Sequence, residues 1–238
     1  MSRKIEEINK ETFWQLIEEA KMQCGKDLNA SLWWIKKGLL RMPPEHSLQF
    51  HRFLHAYYEA ANRYGLWTVA ELMKKEGCTY EGFIDFKSWL VGQGKEVYMA
   101  ALANPDSLAA VEKYENCEFE LLSYVGNEIY TEQTGRSAYD DCTQEMNQEM
   151  LQEVSRDIIY HPMIDYPLEV SDALVVYPKI GAQFMKEYPF LNPKSYSIWN
   201  IPFPQIKEQV KQGAIEAKKY IRSKQKKAKI RKKEEQSR

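Results

Sequence analysis

The chain has 238 residues, long enough to bury a sizeable core without disulfide or metal staples. Aromatic residues reach 13%, with 6 Trp and 15 Tyr, which excludes disorder along the whole chain, and 11 Gly and 10 Pro are too few for a fold of many short strands. The net charge of −1 conceals a split: residues 211–238 hold twelve Lys or Arg against three Glu, a net +9, while residues 1–210 hold 21 against 31, a net −10. An acidic body with a basic tail raises the odds of an electrostatic partner for the tail.

The first predicted helix covers 12–24. Phe13, Leu16, Ile17, Ala20 and Cys24 share one face, Thr12 and Gln15 read as a capping box, and Gly25 reads as the stop. The second covers 29–41 on a stripe of Leu28, Leu32, Ile35 and Leu39. Pro43 and Pro44 end it, and Pro44 then suits the first turn of a third helix over 44–62, lined by Phe50, Leu54, Tyr57 and Ala61. A short helix over 66–75 stops at Gly77. Thr79 caps a fifth, to about Leu90, with Phe83, Phe86, Trp89 and Leu90 inward. Gly92-Gln93-Gly94 turns into a sixth helix over 95–103, and Asn104-Pro105-Asp106-Ser107 is a turn and N-cap opening a short seventh. An eighth is expected over 118–134, with Phe119, Leu122, Val125 and Ile129 inward and Gly135 as its stop. A ninth over 143–159 uses Met146, Met150, Val154 and Ile158.

Seven of the ten prolines then fall between Pro162 and Pro204, which rules out long helices there. The stretch keeps Tyr160, Tyr166, Tyr177, Phe184, Phe190, Trp199 and Phe203, so it reads as a covering segment over about 160–204 with two short helices, 171–176 and 178–188. Leu174-Val175-Val176 is the one strand-like run. From Pro204 a helix resumes on Ile206, Val210, Ala214, Ala217 and Ile221, then loses its stripe while Lys and Arg continue, so its end is expected to fray. The expected architecture is all-α: a compact multi-helix bundle over 1–204 with a Pro- and aromatic-rich extension, and a basic helical tail over 205–238. No run of about 18 apolar residues exists for a membrane span, and the charged N-terminus MSRKIEEINK is no secretory leader, so a cytoplasmic protein is expected. Cys24, Cys78, Cys117 and Cys142 form no CxxC and read as free thiols.

The segment from Gly65 to Leu108 carries Leu66-Trp67, Gly77-Cys78, Phe83, Asp85-Phe86, Trp89-Leu90, Gly92-Gln93-Gly94 and Asn104-Pro105-Asp106. With the opening TFWQLIEEA it resembles a bacterial family known as domain of unknown function 4240, over roughly residues 10–135. The resemblance implies a helical bundle and no particular activity. Two departures stand out: Tyr80-Glu81 where the family often has an acidic pair, and Lys87 where it often has Arg.

Several constellations invite a chemical reading. His51 and His55 share a helix face with Glu59, a spacing able to hold zinc, but Arg52 stands where a zincin needs Glu and His46 falls off the face, so no metal is expected. Gly92-Gln93-Gly94-Lys95 is a faint phosphate-cradling turn without P-loop spacing, better read as a helix stop followed by a helix start. Trp67, Asp85, Lys87, Trp89 and Gln93 are candidates for one ligand cleft. No nucleophile motif such as GxSxG appears, so no catalytic residue is assigned and an enzyme is the lesser expectation; no cofactor is implied. The tail offers Lys218, Lys219, Arg222, Lys224, Lys226, Lys227, Lys229, Arg231, Lys232 and Lys233 to a phosphate backbone. The leading reading is a non-catalytic helical module that binds a protein partner. The alternatives are a nucleic-acid-associated accessory protein acting through the tail, and an enzyme of unidentified class around Trp67 and Asp85.

Overall fold

The computed structural model describes residues 7–74, 77–199 and 204–236, and they form helices and loops with no strand among them. Along the chain run α1 Lys10–Cys24, α2 Leu28–Leu39, α3 Pro44–Ala60, α4 Tyr64–Met73, α5 Tyr80–Gly92 and α6 Lys95–Ala103. After them come α7 Val125–Thr134, α8 Ala138–Asp141, α9 Gln144–Ser155, α10 Val170–Val176, α11 Pro178–Glu187 and α12 Pro204–Gln236. Three 3₁₀ turns, Pro105–Ala110, Glu115–Cys117 and Glu120–Tyr124, separate α6 from α7. The fold is all-α, as expected. Lys75, Phe203 and Arg238, and the side chain of Lys233, lie outside the described residues.

Most helix limits follow the local signals. Thr79 Oγ1 accepts the Gly82 N–H at 3.1 Å and opens α5, Thr143 Oγ1 accepts the Met146 N–H at 3.2 Å and opens α9, and Gly135 ends α7 at φ +72°. Three expectations need correction. Asn9, not Thr12, caps α1: its Oδ1 accepts the N–H groups of Glu11 and Thr12, and Thr12 at the third position accepts the Asn9 N–H at 2.8 Å. The helix expected over 118–134 starts late, because the Phe119 N–H is taken by the Asp85 carbonyl at 3.2 Å; a 3₁₀ turn fills the gap. The strand-like Leu174-Val175-Val176 lies in α10. As expected, a helix resumes at Pro204, and it runs to Gln236.

The chain divides into two compact units that alternate along the sequence. The first comprises Met1–Asn62, Cys78–Ala103 and Glu112–Ile159. Its core is aromatic: Phe13 and Trp14 of α1 meet Phe50, Phe53 and Tyr57 of α3 and Tyr98 of α6, all essentially without solvent exposure. The polar tips are satisfied inside: the Trp14 indole N–H donates to the Tyr57 hydroxyl at 2.9 Å, and the Tyr98 hydroxyl donates to the Tyr57 carbonyl at 2.6 Å. α3 is the central helix, packed against α5, α7 and α9. Its approach to α7 depends on Gly126, where an added Cβ would stand 2.8–3.0 Å from the Cβ, Cα and N of His51.

The second unit comprises Arg63–Gly77, Asn104–Val111 and Tyr160–Arg238. Asp106 has a longer reach than a local turn residue. Its buried carboxylate accepts the N–H groups of Lys179 and Ile180, both at 2.9 Å, and so caps α11 more than seventy residues downstream. Asn104, expected as the cap of its own turn, makes no side-chain capping bond. Trp199 is buried edge-on to Tyr64 and Trp67, with its indole N–H on the Leu168 carbonyl at 2.9 Å. α12 packs on α10 through its inner half. Gly213 sits against the Pro167 carbonyl, Ala217 is fully buried, and the Tyr220 hydroxyl meets His161 Nε2 at 2.9 Å.

Candidate functional site

The first unit gathers titratable side chains along α3. The ring centroids of His51 and His55 are 4.2 Å apart, and Tyr139 of α8 stands edge-on to both, at 4.7 and 5.6 Å. His51 is buried, and its Nδ1 and the Nε2 of His55 have no hydrogen-bond partner. Burial, reinforced by His55, holds His51 well below the usual histidine range, at about 3. Burial and the nearby Lys87 ammonium lower His55 as well, so both rings are neutral at pH 7. Lys87 reaches this region from α5. It is only 6% exposed, its ammonium lies 5.2 Å from the Phe83 ring, and burial lowers its pKa against the opposing pull of Glu59.

Beside this cluster α3 and α9 leave a groove of about 610 Å³, lined by Arg52, His55, Glu59, Gln144, Asn147 and Gln148 among others. Arg52 is anchored through both terminal nitrogens, to the Met146 carbonyl at 2.9 Å and the Gln49 Oε1 at 3.1 Å. Burial pushes the Cys142 thiol up, which leaves it protonated and a poor nucleophile. Neutral imidazoles beside a buried amine can bind polar groups or relay protons. Among the described residues, no group of three or more His, Cys, Asp or Glu is placed to hold a metal ion.

The five residues proposed for one cleft have different settings. Trp67 belongs to the second unit, against Trp199. On α5, Asp85 and Trp89 share a side, whereas Lys87 falls ~200° round the helix from each. Trp89 is fully buried against Phe86 and Tyr114. Gln93 donates to the Tyr114 hydroxyl at 2.8 Å, and its own carbonyl accepts from the Lys21 ammonium at 2.7 Å. Lys87 lies within electrostatic reach of His55 and Glu59. Helical spacing pairs His51 with His55; nothing in the sequence links them to Tyr139 or Lys87, which arrive from other helices.

The glycine turn after α5 already has an internal anion: Glu18 Oε1 accepts the Lys95 N–H at 3.1 Å at the start of α6, next to Gly94 at φ +90°. That carboxylate occupies the place a phosphate would take.

The second candidate surface is the outer part of α12. Lys218, Lys219, Arg222, Lys224, Lys226, Lys227, Lys229, Arg231 and Lys232 are all exposed. Beyond Ile221 every side chain that the structure describes is exposed. Lys219 pairs with Glu216 at 2.7 Å and Lys224 lies 5.2 Å from the Tyr220 ring.

Residues 8–132 match the family described as "Protein of unknown function (DUF4240)", and the chain belongs to that family. No curated protein and no solved structure matches the chain. No helix among the described residues is long and apolar enough to cross a membrane.

Proposed function

We propose that the protein is a non-catalytic helical module that attaches to the phosphate backbone of a nucleic acid through the outer half of α12. One observation carries this reading: a lysine- and arginine-rich helical segment that is exposed on every side. Like charges at i, i+4 destabilise an isolated helix, and a polyanion removes that penalty. A protein interface needs buried aromatic or apolar anchors, and the outer half supplies only Ile230 and Ala228. Phosphate contacts need charge alone. The acidic remainder of the chain favours an approach led by the tail. All four cysteines are free, which supports a reducing compartment such as the bacterial cytoplasm.

The test is fluorescence anisotropy of the full chain with short nucleic-acid duplexes between 50 and 200 mM salt. About five phosphate contacts imply a loss of affinity of roughly 10²–10³ across that range. Absence of binding at the low-salt end overturns the reading and transfers the tail to an acidic protein partner.

A further inference from the structure

We propose that the outer half of α12 seats in the major groove of B-form DNA, with a cationic ridge on each side of the helix facing one of the two phosphate walls. This rests on the nucleic-acid reading above and adds the form of duplex and the mode of docking. The basis is the angular distribution of charge on a helix that stays regular to Gln236. At ~100° per residue, Arg222, Lys226 and Lys229 fall within about 60° of one another. Lys224, Lys227 and Arg231 do the same, and the centres of the two groups are roughly 165° apart. Lys218 and Lys219 extend the first ridge towards the packed half of the helix. Of the strips between the ridges, one carries Ser223 and Ile230 and the other Gln225 and Ala228, with Lys232 as the one cation between the two ridges; Glu234 enters only at the last turn.

Two opposed ridges separate the possible partners. A helix lying on a membrane or on a protein surface concentrates its charge on one side and its apolar residues on the other. Here charge stands on both sides, and no continuous apolar stripe lies between them. A groove with a phosphate wall on each side is the complementary shape. The B-DNA major groove is about 12 Å wide, and a helix with its side chains measures about 10–12 Å across. The 15 residues from Arg222 to Gln236 extend about 22 Å, roughly two-thirds of a duplex turn. A-form RNA is excluded by its deep, narrow major groove. Single strands are held by stacking on aromatic rings, and the tail has only Tyr220, whose hydroxyl is engaged by His161.

The experiment measures anisotropy of the full chain with a 20-base-pair DNA duplex, the RNA duplex of the same sequence and the single DNA strand, across a salt series. Two triple variants accompany it, one per ridge: Arg222→Gln/Lys226→Gln/Lys229→Gln and Lys224→Gln/Lys227→Gln/Arg231→Gln. The DNA duplex is expected to bind at least about tenfold tighter than the other two probes at 100 mM salt, and each triple variant to reduce the log–log salt slope by nearly 3. RNA or single-strand binding as tight as DNA overturns the groove inference while leaving the nucleic-acid reading intact. So does a salt slope that responds to one ridge and ignores the other. Binding to none of the three probes overturns both.

Discussion

The His51–His55 side of α3 and the outer half of α12 both carry titratable side chains, yet they treat charge in opposite ways. On α3, burial strips it: His51 and His55 are held neutral, and Lys87 beside them has its pKa lowered. On α12, water preserves it: every cation from Lys218 to Lys232 is exposed. The difference follows from what each helix packs on, not from local propensity. α3 is surrounded by α5, α7 and α9, whereas the described side chains of α12 beyond Ile221 are exposed. Polar groups in a low-dielectric interior act through protonation and hydrogen bonds, while exposed cations act through counterion release.

Acid should break the contrast first. His51 titrates near 3 in the folded chain and near 6.5 in the unfolded one, so between those values the unfolded chain binds more protons. Stability therefore falls as the pH drops below about 6.5, and by pH 4.5 His51 alone costs about 3 kcal/mol. Urea unfolding at pH 7 and 4.5 measures the loss, and His51→Gln should show a distinctly smaller one. An equal loss in both proteins would show that His51 does not carry the acid sensitivity.

A smaller effect, about 1–3 kcal/mol, is expected from Gly126→Ala. Its new methyl group collides with the His51 backbone and forces α7 away from α3. Loosening this contact admits water to His51, so its pKa should rise towards the ordinary value in an NMR titration. A variant with unchanged stability and an unchanged His51 titration would mean that the two helices adjust without opening.

The smallest effect should come from α12. Substituting Lys226, Lys229 or Arg231 by Gln is expected to move stability by no more than about 0.5 kcal/mol, because these side chains are exposed. Thermal unfolding at matched salt checks this. A larger loss would show that the outer helix rests on the rest of the chain.

Much of this was legible from residue order alone. Local signals located α5, α6, α10 and α11 to within a few residues, Thr79, Thr143 and Gly135 marked helix ends, and the uneven charge identified α12 as the basic element. These features depend on neighbours within a few residues or on composition, so local sequence determines them. The pairing of His51 with His55 is of the same kind, being a consequence of helical pitch.

What depended on packing was everything that joins distant segments. Asp106 reads as part of a local turn, yet it caps α11. Phe119 reads as helical, yet its N–H is claimed by Asp85 and α7 starts six residues later. Lys87 and Tyr139 carry no mark that brings them to the histidines of α3. A backbone or side-chain group takes whichever partner the assembled chain presents, and that choice is made across tens of residues. The charge of α12 was present in its sequence, but its exposure to solvent beyond Ile221 was decided by what the rest of the chain buries.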